Sequence, residues 1–351
     1  MWIKDFTYRD AITFTRLTVI GFTWTLPLLG NLVAHRSVVP RQLFLLLSLA
    51  TAFHIFAYVT NDIIDLDLDR LVPRRATKPL IRGAISQQQA LWIALGQLPL
   101  MFLLNHFLRG DFLSVVLLFL SLLGMGLYNL FGKKTRFPIL TDFIQGVSWA
   151  LLVIYGNWVA GPAIAPASYW IAGFVIIYIM LINGIHGSIR DLPTDAAYGV
   201  RSTAILLGAT FVAPDKIYLS LKLCVYAAFL QCLLVGLSVV TFVVGSAATR
   251  SLSIMLALAI LSCLTCGLFL FLLIQKKIPK LSAIGTLQAI GAYWCIMVAV
   301  LHLIGAAGFS CLLFVYFAPM LFSDWLFRSF SGELDLKTVP AAKGSQTGQR
   351  N

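Results

Sequence analysis

Apolar runs close to the length of a bilayer crossing recur along most of this 351-residue chain. A helix needs roughly 20 apolar residues to span the hydrocarbon core of a membrane. Transmembrane spans are predicted at 15–34, 42–60, 89–107, 112–131, 139–160, 168–188, 218–245, 251–274 and 284–306. A shorter apolar segment, 309–323, follows the break Gly305-Ala-Ala-Gly308. Hydrophobic residues make up 59% of the chain, against roughly 45–50% in soluble domains, so the composition excludes an ordinary soluble fold.

The length and evenness of these runs also decide between the two kinds of membrane fold. Only helices and closed barrels satisfy every backbone polar group in lipid. Barrel strands are shorter and alternate between apolar and polar residues. We therefore predict an all-α polytopic membrane protein with about nine transmembrane helices, in a single membrane-embedded domain over 10–323. The polar segment 324–351 is expected to be a disordered tail.

The basic residues are distributed unevenly between the predicted loops. Of 26 Lys and Arg residues, eighteen lie in the N-terminal segment and the even-numbered loops, and four lie in the odd-numbered loops. By the positive-inside rule, the N-terminus and the even-numbered loops should be cytosolic. This topology accounts for most of the net charge of +12, so no nucleic-acid partner is expected. Anionic lipid of the bilayer and an anionic substrate are further partners that a basic cytosolic face would suit.

A cluster of aspartates follows the second apolar run, in a chain with only 14 acidic residues. The cluster comprises Asp62, Asp65, Asp67 and Asp69. One helical face is predicted to carry His54, Tyr58, Asn61, Asp65 and Asp69, which recur at steps of three and four. Asp62 lies at the edge of that face, and Asp67 points elsewhere. A solvated turn whose acids pair with nearby arginines is the alternative, but acids at a membrane boundary are costly without a partner.

A second acidic pair, Asp191 and Asp195, follows the sixth apolar run. Both acidic segments come after even-numbered runs, so both should emerge on the same cytosolic face. Crowded carboxylates repel one another unless cations neutralise them, and Mg²⁺ prefers carboxylate oxygens. The predicted Mg²⁺ ligands are Asn61, Asp62, Asp65, Asp69, Asp191 and Asp195. Of these, Asp62, Asp65, Asp191 and Asp195 are also predicted to be essential for catalysis.

Basic residues surround both acidic segments and are predicted to bind an anion with several oxygens. The candidates are Arg70, Arg74, Lys78, Lys133, Lys134, Arg190 and Arg201. Diphosphate fits such a site, because metal and cations stabilise the charge that develops on a leaving group. The apolar helices would shelter a hydrocarbon chain and a carbocation from water. Candidates for lining the cavity or binding an acceptor are His54, Tyr58, Tyr128, Asn183 and His186.

These motifs resemble those of the UbiA superfamily of intramembrane prenyltransferases, which has UbiA-type terpene cyclases as close relatives. The family pattern Asn-Asp-x-x-Asp-x-x-x-Asp is matched by Asn61, Asp62, Asp65 and Asp69. Its downstream basic pattern is matched by Arg74, Lys78-Pro79-Leu80, Gly83 and Ser86. Its second motif is matched by Asp191, Asp195 and Gly199-Val200-Arg201-Ser202. The resemblance extends from about residue 10 to about residue 310.

The resemblance implies nine helices around a central cavity, two Mg²⁺ ions, and a diphosphate held between both aspartate motifs. It implies a C10–C20 prenyl diphosphate as donor and a lipophilic acceptor, expected to be aromatic, that attacks the allylic cation.

This sequence departs from the family pattern in three places. Arg75 and Lys78 replace a common Thr and Arg, and either Lys133 or Lys134 could serve as the basic residue after Tyr128. Pro193 should end or kink the helix, so that Asp195 would approach the metal from a turn.

Three functions are compatible with these residues. The first is a Mg²⁺-dependent prenyltransferase, and the second is a terpene cyclase in which the cation is captured without an acceptor. The third is a cation-binding membrane transporter, which would need charged residues inside the spans. The middle parts of the predicted spans carry almost no charged residues, which favours the two enzymes.

The lone acid Asp142 near the start of the fifth run could pair with a neighbouring helix or bind an acceptor.

Overall fold

The computed structural model describes residues 6–72, 75–213, 216–245, 251–275 and 277–321. Within these ranges, nine helices are long and apolar enough to cross a membrane. The prediction of an all-α polytopic membrane protein is therefore confirmed. The predicted tail 324–351 lies outside the described residues, as does Arg74.

The N-terminal part contains α1 (Tyr8–Thr15), a 3₁₀ turn (Leu17–Val19), α2 (Ile20–His35), α3 (Pro40–Ile64) and α4 (Leu66–Arg70). The middle contains α5 (Gln87–Leu108), α6 (Phe112–Phe131), α7 (Pro138–Ala160), α8 (Pro166–Leu181), a π-helical segment (Ile182–Gly187) and α9 (Ser188–Ala197). The remainder contains α10 (Thr203–Leu206), β1 (Thr210–Ala213), β2 (Lys216–Tyr218), α11 (Leu221–Gly245), α12 (Leu252–Ile274) and α13 (Ile278–Leu321). The two strands pair antiparallel, with Phe211 opposite Ile217.

Local sequence signals set where several of these helices begin. Prolines occupy the first position of α3, α7 and α8, where the missing N–H has no helical partner to lose. The Ser86 side chain caps α5 by accepting a hydrogen bond from the Gln89 amide at 3.1 Å, and Gln89 completes a capping box. Asp111 caps α6 in the same way, at 2.8 Å from the Ser114 amide. These starts agree with the predicted spans to within a few residues.

Helical structure runs without interruption from α8 through the π-helical segment into α9, which carries the second acidic motif. The expectation that Pro193 places Asp195 in a turn is wrong, because α9 continues through Pro193 to Ala197. Membrane helices tolerate proline where local π adjustments satisfy the freed backbone groups, and here the π-helical segment lies directly upstream. The predicted break near Gly305 is a kink within α13, where Gly305 has φ 69°.

α2 packs closely against α7 and α13. Gly30 on α2 lies directly against the Val153 carbonyl of α7, and Gly156 on α7 lies against the Pro27 carbonyl of α2. The Asn31 amide also donates to the Gly156 carbonyl at 3.4 Å. Small residues let membrane helices approach this closely, so these two glycines fix the spacing on which the buried core depends.

Gly156→Val should destabilise the protein strongly, because its added carbons would collide with the backbone of α2. We expect a loss of about 1–3 kcal/mol or more in the free energy of unfolding, measured as a lower melting temperature in detergent. Gly126→Val on α6 is the matched control, since a side chain at Gly126 meets nothing within 4 Å. Equal melting temperatures for the two variants would contradict this account of the α2–α7 contact.

Candidate active site

The first acidic motif forms where α3 ends and α4 begins. Asp62 lies in the last turn of α3, Asp65 is the single turn residue between the helices, and Asp69 lies in α4. All three are buried, and Asp69 is only 2% exposed. Asp67 points away, as predicted, with a side chain that is 97% exposed and pairs with Arg70 at 3.2 Å. The predicted continuous face is therefore interrupted only at Asp65, and it carries three buried carboxylates.

The second acidic motif reaches the same place from α9. Arg75 joins the two motifs, because its guanidinium contacts the Asp69 carboxylate and lies 3.6 Å from the Asp191 carboxylate. The Tyr198 hydroxyl donates to the Leu71 carbonyl at 2.8 Å and forms a second link between the segments. Asp195 is buried in α9. Two aspartate motifs about 130 residues apart in sequence thus form one cluster at one end of the bundle.

Basic side chains separate these carboxylates from one another. Arg16 lies 2.5 Å from Asp62, and Lys78 lies 3.1 Å from Asp62 and 2.8 Å from Asp69. Lys133 lies 2.5 Å from Asp65. Among the described residues, Lys133 rather than Lys134 forms an ion pair with the first motif, and the Lys134 side chain is exposed.

The other predicted anion-binding residues lie further from the centre of the cluster. Arg190 pairs with Asp191 at 3.1 Å and has an exposed side chain. Arg70 and Arg201 are exposed, and Arg70 pairs with the outward-pointing Asp67. Arg16 and Arg75 were absent from the predicted set, yet both contact the buried acids. A basic residue at the very start of an apolar run, as Arg16 is, could have signalled such a role.

Arg16 is held in place by residues of α3. It has a left-handed backbone (φ 51°) where α1 ends. The His54 Nε2–H donates to the Arg16 carbonyl at 3.1 Å, and His54 Nδ1 accepts from the Thr23 hydroxyl at 2.8 Å. The Arg16 guanidinium lies 4.8 Å from the centre of the Tyr58 ring, a cation–π distance. One ring nitrogen of the buried His54 therefore holds the Arg16 backbone and the other is bonded to Thr23, which leaves none to contact an acceptor.

Burial and charge act differently on two neighbouring acids of the first motif. Burial raises the pKa of Asp65 above its ordinary value, and Lys133 offsets this only in part. Burial acts in the same direction on Asp69, but the hydrogen bond and charge of Lys78, with the charge of Arg75, outweigh it and lower the pKa of Asp69. Asp69 is therefore the more firmly ionised carboxylate of the two.

The donor set of the cluster fits a hard divalent cation. Among the described residues, no three His, Cys, Asp or Glu side chains already form a metal cage, because the basic side chains lie between the carboxylates. The available ligand atoms are carboxylate oxygens, which suit Mg²⁺. Mg²⁺ usually binds through one or two carboxylates together with substrate phosphates. A metal that arrives with an anionic ligand would therefore fit this arrangement better than a metal alone.

Aromatic rings continue from this cluster into the bundle core. Tyr58 contacts Trp149 (6.3 Å between ring centres), Trp149 contacts Phe22 (5.7 Å), and Phe22 contacts Tyr178 and Tyr293 (5.6 and 5.2 Å). These spacings are those of direct aromatic contact. A row of rings that begins beside Arg16 is the kind of surface that stabilises a cation away from water.

Three further predicted residues lie on α6 and in the π-helical segment. Tyr128 is half-buried. The Asn183 amide donates to Gln145 of α7. His186 follows in the π-helical segment, and its Nε2 is buried without a hydrogen-bond partner among the described residues. π-Helical turns often occur at functional sites, and sequence periodicity does not reveal them.

Comparison with known proteins places the chain in a family context. A model of the UbiA prenyltransferase family matches residues 23–283. The 4-hydroxybenzoate octaprenyltransferase of Blochmanniella floridana is 27% identical over 152 residues, which is 43% of this chain and 51% of that protein. The chain thus matches about half the length of this curated relative.

Two solved structures share the fold. A structure of digeranylgeranylglyceryl phosphate synthase superposes with a TM-score of 0.64 and 20% identity, over 84% of this chain and 98% of the other. A UbiA homolog from Archaeoglobus fulgidus bound to GPP and Mg²⁺ has a TM-score of 0.55 and 16% identity, over 82% and 99% of the two chains. At these identities, the likeness establishes the common architecture.

Asp69→Asn should destabilise the ligand-free protein, because it removes the acid shared by Lys78 and Arg75. Breaking a buried ion pair leaves its partner charges uncompensated, so we expect a loss of about 1–3 kcal/mol. Thermal unfolding in detergent without divalent metal measures the effect. Asp67→Asn, a change of the same kind on the exposed side of α4, should leave the melting temperature unchanged. If Asp69→Asn lowered the melting temperature no more than Asp67→Asn does, the sharing of Asp69 by Lys78 and Arg75 would be refuted.

Proposed function

This chain belongs to the UbiA prenyltransferase family, and we propose that it transfers a prenyl group from an allylic prenyl diphosphate to a lipophilic acceptor within the membrane. The observation that carries the proposal is the convergence of both aspartate motifs on Arg75. Four further ion pairs, made by Arg16, Lys78 and Lys133, surround that point. Such a cluster of alternating charge offers oxygen ligands to metal and cationic donors to phosphate.

Binding would proceed by an exchange of ionic partners. In the ligand-free protein, the basic side chains neutralise the carboxylates. When a diphosphate arrives, Arg16, Arg75, Lys78 and Lys133 turn to its oxygens, which suit charged N–H donors. The freed oxygens of Asn61, Asp62, Asp65, Asp69, Asp191 and Asp195 would then hold Mg²⁺. Bound Mg²⁺ would supply positive charge to the leaving diphosphate.

The basic residues would then act on the departing group. Cleavage of the allylic carbon–oxygen bond leaves an extra negative charge on the diphosphate. Arg75 and Lys78, held by Asp69 beforehand, would stabilise that charge, and preorganised cations of this kind lower the barrier to ionisation. Lys133, which pairs with Asp65, would do the same.

The aromatic row provides the place for the hydrocarbon part of the donor. The prenyl chain would lie along Tyr58, Trp149 and Phe22, and their ring faces would stabilise the allylic cation. The surrounding core excludes water. We propose an aromatic acceptor, because one curated relative carries the name 4-hydroxybenzoate octaprenyltransferase.

One observation keeps the cyclase as a second candidate. The aromatic row extends past Tyr293 to Tyr316, with 5.3 Å between ring centres, and on to Trp294 at 5.7 Å. So long an aromatic surface could guide intramolecular capture of the cation.

A transporter function fits the structure less well than either enzyme, since the charged residues of the described spans lie near helix ends.

The distribution of basic residues supports a sidedness for the site. We propose that the N-terminus and both acidic motifs face the cytosol, because eighteen basic residues lie in the N-terminal segment and the even-numbered loops, against four in the odd-numbered loops. Water-soluble diphosphate could then leave directly into the cytosol.

Mg²⁺-dependent release of diphosphate from geranyl, farnesyl or geranylgeranyl diphosphate tests the proposal. The purified protein should release diphosphate with at least one donor, and Asp191→Asn should reduce the rate at least about 100-fold, because it removes a proposed metal ligand. Asp67→Asn is the matched control and should retain the wild-type rate.

The products separate the two enzyme hypotheses. Prenylated 4-hydroxybenzoate, or another prenylated phenol, indicates a transferase, whereas cyclic terpenes made without any acceptor indicate a cyclase. Absence of Mg²⁺-dependent release with all three donors would refute both.

A further inference from the structure

Asp142 is a buried carboxylate of the bundle that stands outside the network of ion pairs. Asp142 lies in the second turn of α7 and is 7% exposed. Its Oδ2 accepts a hydrogen bond from the Thr203 hydroxyl at 2.6 Å. Among the described residues it forms no ion pair, whereas Asp62, Asp65, Asp69 and Asp191 each pair with a Lys or Arg.

The backbone around Asp142 is shaped to admit its side chain. Gly184 of the π-helical segment packs against the carboxylate, and a Cβ at Gly184 would lie 2.9 Å from Asp142 Oδ2. One turn further along α7, Gln145 accepts from the Asn183 amide. α7, the π-helical segment and α10 thus form a polar pocket around Asp142, in an otherwise apolar core.

The residues that build this pocket flank the second acidic motif in the chain. Thr203 directly follows the motif's Arg201-Ser202, and Gly184 lies seven residues before Asp191 on the same continuous helical stretch.

A proton must leave the substrates whichever acceptor captures the prenyl cation. An aromatic carbon that forms the new bond loses its hydrogen as a proton, and an attacking hydroxyl loses its own. A cyclised cation that ends as an alkene also loses a proton. The acids of the donor site, Asp195 included, are proposed to hold Mg²⁺, so the proton needs another acceptor.

We propose that Asp142 is the base that receives this proton and that its pocket holds the nucleophilic end of the acceptor. The inference rests on the proposed function and identifies a catalytic residue outside the aspartate motifs. Burial of an uncompensated charge favours proton uptake by such a carboxylate. The hydroxyl of Thr203 orients it by occupying Oδ2, so that Oδ1 can take the proton.

In the proposed step, the bond between the prenyl C1 and the diphosphate oxygen breaks, and its electron pair leaves with the diphosphate. The acceptor supplies an electron pair to C1 and forms the new bond. The proton on the attacking atom passes to Asp142, and the neutral carboxylic acid later returns it to solvent.

Asp142→Asn tests this role while preserving side-chain size. Purified wild-type and variant protein would be given Mg²⁺, geranyl diphosphate and 4-hydroxybenzoate, with farnesyl and geranylgeranyl diphosphate as further donors. Three quantities are measured: diphosphate release, prenylated or cyclic product, and binding of geranyl S-thiolodiphosphate, an unreactive donor analogue. Asp111→Asn, at the N-cap of α6, where the Asp111 carboxylate accepts from the Ser114 amide, is the matched control.

We expect Asp142→Asn to bind the analogue and release diphosphate within about threefold of wild type. Product should fall at least about 100-fold, as loss of a general base does, and prenyl alcohol formed by water capture should replace it. Asp111→Asn should leave all three quantities unchanged.

Two results would overturn the inference. One is wild-type product formation by Asp142→Asn. The other is parallel loss of analogue binding and diphosphate release, which would make Asp142 a structural support of the donor site. If the wild-type protein itself releases no diphosphate from any donor, the proposed function fails and this inference with it. That outcome is distinguishable, because it appears without any mutation.

Discussion

The need to neutralise carboxylates at a membrane boundary is the constraint on which the rest of this structure depends. Asp62, Asp65 and Asp69 are buried at the junction of α3 and α4, and an uncompensated charge there would be costly. Each acid is therefore paired with a base that comes from elsewhere in the chain. The pairs join α1, α3, the segment after α4 and the end of α6. The electrostatic cluster thus also organises the end of the bundle.

The same pairing explains how a site without a preformed metal cage could serve ionisation of a diphosphate. A cluster whose acids and bases already neutralise each other gains little binding free energy from a lone cation or a lone anion. It can bind both together, because the acids then bind the metal and the bases bind the phosphate. Asp142 lies outside this exchange. It has a hydroxyl partner in Thr203 and remains available for a proton. In the proposed reaction, the aspartate motifs therefore serve ionisation of the donor, and the Asp142 pocket serves the later loss of the proton.

Much of the fold could be predicted from the sequence, because the spans are set by length and hydropathy. The spacing of His54, Tyr58, Asn61, Asp65 and Asp69 also predicted one helical face with Asp62 at its edge. The three acids of that set are buried. Long-range contacts were less predictable. Arg16 and Arg75 reach the acids through backbone turns that side-chain periodicity does not encode. The choice of Lys133 over Lys134 depends on where α6 ends. The helix through Pro193 and the short hairpin β1–β2 depend on local backbone adjustments that composition does not specify.

Binding of Mn²⁺, a paramagnetic substitute for Mg²⁺, tests the partner exchange most directly. Its affinity for the purified protein can be measured by electron paramagnetic resonance with and without geranyl S-thiolodiphosphate. Because bases occupy the carboxylates in the ligand-free protein, the analogue should raise the Mn²⁺ affinity at least about tenfold, within the usual range of coupling between sites. Equal Mn²⁺ affinity with and without the analogue would contradict the account.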